Sequence, residues 1–355
     1  MKIAILSDIH FGVRNDSKFF HDRLFEFLEN VFFPYLKQNE INTLLILGDT
    51  WDRRKYVNFN TLHDVRVRFF QRLRDAGVAV KMIYGNHDVY FRNTNDVNSV
   101  DILAETFDNV EVVTDKKIFD FDGLKVGMIS WLHSGNVGEG VEWIANAPCE
   151  VLCGHFEIKN FEMMRGHLCE HGFESGLFSR FELVLSGHFH IAATRENITY
   201  VGNPIQTNWG DYGLEKGFCV LDTETRELFR VRNPFDIYTH LLYDETLDIV
   251  AHDYEQYRDK IIRVKVADYE GVKRNKFSLF VDKLSGVAQT VEVQGNDISA
   301  GDVEGVEGEA FSADALKLFD QYVGSVDMRG LDVGRLRECF LDCYNETVKG
   351  RVLAE

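Results

Sequence analysis

The sequence predicts an α/β protein: a two-sheet β-sandwich flanked by helices, then a small α/β capping domain and a C-terminal helix-loop-helix. Three observations support this. Short runs rich in Ile, Leu and Val alternate with helical patterns, which argues for largely parallel, helix-covered sheets. Hairpin-like segments lie between them, enough for a second sheet. After NPF (233–235) the composition changes, first to a polar helical segment and then to a Gly- and acid-rich tract.

The elements follow in order. KIAIL (2–6) reads as a strand and FFHDRLFEFLENVFFPYL (19–36) as an amphipathic helix. TLLIL (43–47) precedes LHDVRVRFFQRLRDAG (62–77), whose Gly77 suits a helix C-cap. VAVKMIY (78–84), EVLC (150–153) and ELVLS (182–186) are further buried strands. VEVV (110–113), KIFDFDG (117–123) and LKVGMISWL (124–132) read as hairpin strands turning at Asp122-Gly123. ITYVGNP (198–204) and GFCVLDTETRELFRV (217–231) read likewise. These place the main domain at 1–233. KIIRVKVADY (260–269) supplies a strand to the capping domain, 234–293. Residues 294–311 form an acidic linker by composition. Ser312 can N-cap the first of two helices spanning 312–350.

Composition narrows the class. With 45% hydrophobic residues the chain buries a substantial core, and global disorder is excluded. No window approaches the ~18 apolar residues of a membrane span. MKIAILSD is too short in apolar residues for a signal peptide, so a cytoplasmic protein is expected, in the host cell's cytoplasm if viral. Six cysteines (149, 153, 169, 219, 339, 343) fit free thiols; no second C-x-x-C completes a zinc site. Net charge is −18, but residues 1–100 carry 14 Lys+Arg against 12 Asp+Glu and the remainder 25 against 45. The acidity is thus segregated, and nucleic acid is not excluded as a partner. No G-x-x-x-x-G-K-[ST] loop is visible for ATP hydrolysis.

What ends each strand is more telling. SDIH gives Asp8 and His10; GDTWD gives Asp49 and Asp52; GNHD gives Asn86, His87 and Asp88; GHFE gives His155; SGHFH gives His188 and His190. Ligand sites gather beyond the carboxyl ends of parallel strands, and glycine lets the chain turn off a strand there. Singly, each residue has a plain explanation as a helix cap, a turn residue or a buried ring. Jointly, that would require every core strand to stop in a metal donor by accident. The set has oxygen and nitrogen donors and no thiolate, which suits manganese, iron, magnesium or zinc in a reactive site. Seven donors exceed one tetrahedral ion and fit two ions sharing a carboxylate.

The pattern D-x-H…G-D-x-x-D…G-N-H-[DE]…G-H…G-H-x-H, over about residues 5–190, resembles the calcineurin-like dimetal phosphoesterases. Within them the chain is similar to the nuclease subunits of SbcCD-type repair and recombination complexes, particularly the recombination endonucleases of large tailed bacteriophages. YVGNP (200–204) and EKGF (215–218) share that likeness, with Asn203 where cellular relatives commonly carry Ser. The resemblance implies that Asp8, His10 and His190 hold one metal, that Asn86, His155 and His188 hold the other, and that Asp49 bridges them. His87 would be the catalytic histidine, with Asp52 orienting its ring and raising its pKa. It further implies Mn²⁺ (or Mg²⁺), 3′→5′ exonuclease action on duplex DNA ends, and single-strand endonuclease action. The partners it implies are a second copy of the chain, paired through helices, and an SbcC-type ATPase. The ATPase would dock on the helix-loop-helix through Leu316, Phe319, Tyr322, Leu336, Phe340 and Tyr344.

Arg53, Arg54 and Lys55 follow Asp52 and can contact DNA phosphates. The helical stretches 19–36 and 62–77 look richer in exposed aromatics than one core face requires. A calcineurin-like phosphomonoesterase or protein phosphatase is the alternative, since GDTWDRR approaches G-D-x-x-D-R-G with Arg54 in place of the glycine. A non-catalytic scaffold is a third reading, opposed by the complete donor set.

Overall fold

The computed structural model describes residues 1–101, 106–266 and 272–294. The linker beyond Gln294, the helix-loop-helix at 312–350, and Cys339 and Cys343 lie outside the described residues. In the first six-stranded sheet, Lys2–Leu6, Thr43–Leu47, Ala79–Ile83 and Val110–Val113 run parallel in that order. The hairpin Gly217–Asp222 and Leu228–Arg232 extends it antiparallel beyond Lys2–Leu6. In the second, Ile198–Tyr200, Leu183–Ser186, Val151–Gly154 and Leu124–Ile129 run parallel in order. Ala193–Arg195 and Lys116–Phe121 add antiparallel edges.

Alternation along the strands stacks the layers. Ile3, Ile5, Leu45 and Leu47 share one buried cluster with Val126, Met128, Val151, Cys153 and Leu185, so the two sheets pack face to face. Ala4, Leu6, Leu44 and Ile46 point the other way, into a cluster with Phe25, Phe32 and Phe69 from the helices. Leu152 and Val184 meet Ile144 of helix Val137–Asn146 on the far side of the second sheet. Strands buried on both faces must be apolar at every position, which is why these runs do not alternate with polar residues.

The two covering helices, 18–38 and 59–75, each widen into a π segment, Leu28–Phe32 and Val65–Phe70. In the first, Pro34 lies just after the widened turn; it lacks an N–H and crowds the preceding carbonyl, and a wide turn accommodates that. The aromatics here face inward: Phe20, Phe25, Phe27, Phe32, Phe33, Phe69 and Phe70 are all buried. Within 19–36 and 62–77 this corrects the expectation of surplus exposed aromatics, because covering a sheet already buried on its other face takes up these rings, with Phe19 and Tyr35 partly buried and only Phe59, ahead of the second stretch, exposed.

A second correction concerns VEVV. Val110–Val113 does not join the hairpin but pairs parallel with Ala79–Ile83, Val80 opposite Val110. The chain then crosses to the second sheet, where Ser130 Oγ donates to Val113 O (2.6 Å) and Ser130 N to Asp115 O (2.8 Å). The hairpin itself turns at Asp122 and Gly123, both left-handed (φ 54° and 87°), as a two-residue turn with strand-matched twist requires.

Tyr238–Tyr243, Ile261–Val266 and Thr290–Gln294 form a small parallel sheet. Helix Arg274–Ser285 packs on it around Tyr243, Ile262, Val264, Phe280 and Leu284. Trp209 of the main body meets this sheet, donating from Nε1 to Glu292 Oε1 (3.3 Å) beneath the Arg263 guanidinium. Cys149, Cys153, Cys169 and Cys219 are buried free thiols. Among the described residues no helix is long and apolar enough to cross a membrane.

Candidate metal centre

Parallel pairing continues past the ends of the first two strands and sets their loops side by side. Asp8 N donates to Gly48 O (3.1 Å), His10 N to Asp49 O (3.1 Å) and Phe11 N to Thr50 O (2.9 Å). The first sheet thereby delivers Asp8, His10, Asp49, Asn86 and His87, and the second delivers His155, His188 and His190, all at carboxyl strand ends. Two glycines permit the approach. Gly48 turns left-handed (φ 86°), and a Cβ there would sit 2.6 Å from Gly85 N. Gly85 has no unusual φ, but a Cβ would lie 2.1 Å from Asp49 Oδ1. Glycine serves close contact at Gly85, and both contact and turning at Gly48.

The seven expected donors converge in two groups. Asp8, His10 and His190 offer ligand atoms within 4.8 Å of one another, and so do Asp49, His155 and His188. Asn86 belongs with the second group, its Oδ1 lying 3.0 Å from His155 Nε2 and 2.9 Å from His188 Nδ1. Asp49 Oδ2 lies between the groups, 3.4 Å from His155 Nε2 and 3.7 Å from His10 Nε2. Its Oδ1 accepts from the His87 main-chain N–H at 2.7 Å.

Backbone strain concentrates at these positions. Asp8 (φ 50°), His10 (50°), Asp49 (49°) and His188 (88°) all occupy the left-handed region, at a cost of about 1–3 kcal/mol each. Buried hydrogen bonds secure them: His188 N donates to both Asp8 carboxylate oxygens (3.1 Å each) and Ser7 Oγ to Asp8 Oδ2 (2.5 Å).

Burial and mutual charge set the protonation states. Burial pushes the Asp8 carboxyl up. Burial would also raise Asp49, but the His155 and His87 imidazoles hold it well below the usual carboxylate range. Burial works against charge on His155, yet the Asp49 carboxylate outweighs it and lifts the ring to about 9. Burial and then His155 push His188 down to about 3. Burial, reinforced by His190, holds His10 well below its ordinary value.

This arrangement fits two divalent cations. His10 Nε2 and His190 Nε2 face each other at 3.0 Å, so neutral rings place at least one lone pair in the gap. His10 Nδ1 is buried without a hydrogen bond, its nearest charge being Asp52 Oδ1 at 3.5 Å. Imidazole, carboxylate and carboxamide donors with no thiolate match hard to borderline ions. His155 Nδ1–H donates to Leu47 O (2.8 Å), which leaves Nε2 aimed at the site.

Asp52 does hold the His87 ring, but through its backbone. His87 Nδ1–H donates to Asp52 O at 2.7 Å, while the carboxylate turns toward His10. The expected orientation by a side-chain carboxylate is corrected: the loop bends Asp52's main chain, not its side chain, toward His87.

Sequence reasoning assigned no role to Asp88 or Lys216. Asp88 is fully buried and accepts from Trp51 N (3.0 Å) and Gly85 N (2.9 Å), tying the GDTW and GNHD loops together. Burial, then the Asp49 charge, raises it to about 7. Lys216 Nζ donates to His190 O (3.0 Å), Asn203 Oδ1 (2.6 Å) and Asp211 Oδ1 (2.5 Å), fixing the backbone that presents His190. A lone lysine opening the apolar strand GFCVL was the available signal.

Comparison with known proteins agrees with this geometry. The profile of a family described as calcineurin-like phosphoesterase matches residues 1–192. Exonuclease subunit 1 of Enterobacteria phage T4 is 28% identical over 326 residues, covering 92% of this chain and 93% of that protein. An SbcCD nuclease subunit of Staphylococcus epidermidis is 20% identical over 319 residues, covering 82% of this chain and 81% of that protein.

Proposed function

The chain belongs to the calcineurin-like phosphoesterase family, and on that premise we propose that it is a Mn²⁺-dependent DNA nuclease. In this reading it degrades duplex ends 3′→5′ and cuts single strands, as one component of a complex with an SbcC-type ATPase. The observation that carries phosphoester hydrolysis is the pair of donor groups on either side of Asp49. DNA as substrate is supported by similarity along nearly the whole chain to two proteins named as nuclease subunits.

The assignment of donors is part of the proposal. Asp8, His10 and His190 would hold one ion, Asn86, His155 and His188 the other, and Asp49, between the two groups, would serve both. Bound there, two divalent ions supply Lewis-acid neutralisation of a phosphoryl group and a water of lowered pKa. The protein's own groups do the rest. Buried strand ends fix the donors, so little rearrangement is needed on loading. Asp88 keeps the Asp49 and Asn86 loops in register. With His87 Nδ1–H committed to the Asp52 carbonyl, Nε2 is the atom left to face the substrate, and once it has taken a second proton from solvent it would hand that proton to the departing 3′ oxygen.

The domain division belongs to the same reading: 1–233 for the nuclease, 234–293 for a cap over it, 294–311 for a linker and 312–350 for the ATPase-docking helices. We also take the protein as a homodimer; Phe59, 87% exposed, and Val67 on helix 59–75 are apolar surface that such pairing would cover.

The test is digestion of end-labelled duplex DNA with Mn²⁺ or Mg²⁺, beside a small phosphomonoester and with or without the ATPase. Duplex shortening from 3′ ends with Mn²⁺ is expected. Turnover of the monoester alone would turn the assignment to the phosphatase alternative.

A further inference from the structure

Three cations follow Asp52 in the sequence, and the structure separates two of them by what surrounds them. Arg53 is already committed: its Nη1 donates to Asp16 Oδ2 (2.8 Å) and its Nη2 to Asn15 Oδ1 (2.6 Å), with the guanidinium over Tyr56. Arg54 is not. Its guanidinium lies over the Trp131 ring, 5.5 Å from the centroid, and its Nη1 is buried with no hydrogen-bond acceptor. Arg92 is exposed on the loop that follows Val89, and neither Arg54 nor Arg92 forms an ion pair among the described residues.

The loop that carries Arg92 is tied to the same tryptophan that lies under Arg54. Trp131 N donates to Tyr84 O (2.9 Å), one residue before the GNHD loop. Trp131 O accepts from Asn95 Nδ2 (3.4 Å), which pins the loop carrying Arg92, and from Asn136 Nδ2 (3.3 Å). Burial and the Arg92 charge hold the Arg54 guanidinium below its usual range, while Asp49 of the metal centre pulls the other way. A half-buried guanidinium beside a like charge, with an idle N–H, costs free energy unless an anion completes it.

Resting on the nuclease reading, we propose that Arg54 and Arg92 form a clamp for a DNA backbone phosphate next to the one being cleaved. The guanidinium plane on Trp131 presents a fixed fork, the geometry that suits a phosphodiester's two free oxygens. Arg92, on the exposed side, closes over the same group. Arg53 plays no part, because its donors are spent on Asp16 and Asn15.

The full-length protein carrying His87→Ala, so that cleavage is arrested, is the parent for a binding test. Its affinity for a fluorescent duplex with a single-stranded end is measured against KCl concentration in Mn²⁺. Each of Arg54→Ala and Arg92→Ala is expected to weaken binding roughly tenfold and to make the log Kd–log[KCl] slope shallower, and the double variant should lose about 0.7–0.9 of slope in all, the one phosphate that the pair shares. Arg54→Lys should retain the parent slope, and Arg53→Ala should leave it unchanged. A merely structural Arg54 would lower Tm without moving the slope. Should Arg54→Ala fail to fold, Arg92→Ala, at an exposed position, still decides the matter. Slopes unmoved in the variants, with a parent that binds DNA, overturn the clamp alone. A parent that does not bind DNA overturns the nuclease reading itself.

Discussion

His10 and His190 point their Nε2 atoms at each other across 3.0 Å, although 180 residues separate them in the chain. Under the proposed assignment, a cation between them would take the lone pairs of both neutral imidazoles. His190→Ala should therefore lower bound Mn²⁺ from two ions to about one per chain, read by elemental analysis after gel filtration. Activity should fall by more than the ~10–100-fold that changes behind the ligands usually cost. Full retention of two ions would remove His190 from the ligand set.

His155 and Asp49 set a pH dependence. The ring is lifted to about 9 by the carboxylate, against burial. A folded value above the ordinary ~6.5 means that the pair's stabilisation is complete below pH ~6.5 and is lost as pH rises through about 9. With chelator present, Tm should decline over that window. Metal loading should release about one proton per chain at pH 7.5, because the Nε2 that carries it must become a lone pair. Calorimetry in buffers of different ionisation heat measures this; a buffer-independent heat would contradict it.

Asp88 accepts two buried main-chain N–H groups, one from each of the loops that carry Asp49 and Asn86. Asp88→Ala orphans both, at about 1–3 kcal/mol for each buried donor. Chemical denaturation should show the loss, and cleavage should fall with it, since the register between Asp49 and Asn86 is set there. A variant of unchanged stability would mean that water replaces the carboxylate.

Lys216 and Asp211 form a buried ion pair 2.5 Å long. Lys216→Met should cost about 3–5 kcal/mol by stranding Asp211, and adding Asp211→Leu should recover only part of it, because the carboxylate's other oxygen also accepts from Thr207 N (2.8 Å) and Asn208 N (3.3 Å). Burial opposes ionisation of Asp211, but Lys216 holds its carboxyl below 3.8. Its contribution is thus present above that value and is lost as pH falls through the lower folded one. Acid titration of Tm should show the wild type, and not the double variant, losing this increment.

That these side chains converge was legible in the sequence, because each follows an apolar run closely and parallel strands bring their carboxyl ends to one edge. What pattern could not supply was partner choice. VEVV looks like its hairpin neighbours, and only the Ser130 contacts show the chain changing sheets before Lys116. Asp52 looked like a side-chain partner for His87, yet a carbonyl does that work, and every residue has one. Asp88 and Lys216 were in view as letters, but their value lies in buried hydrogen bonds to loops distant in sequence. The aromatics of 19–36 and 62–77 misled because counting residues does not reveal a sheet that is covered on both faces.

The left-handed backbone at Asp8, His10, Asp49 and His188 also bears on how this chain can change over evolutionary time. Asn and Gly tolerate that conformation best, and neither brings back the lost chemistry. A single drift from Asp to Asn at 8 or 49 keeps the left-handed main chain comfortable while removing the carboxylate charge that the proposed centre would use. On the proposed function, folded but inactive descendants would therefore be one substitution away, whereas β-branched replacements at the same sites endanger the fold as well as the activity.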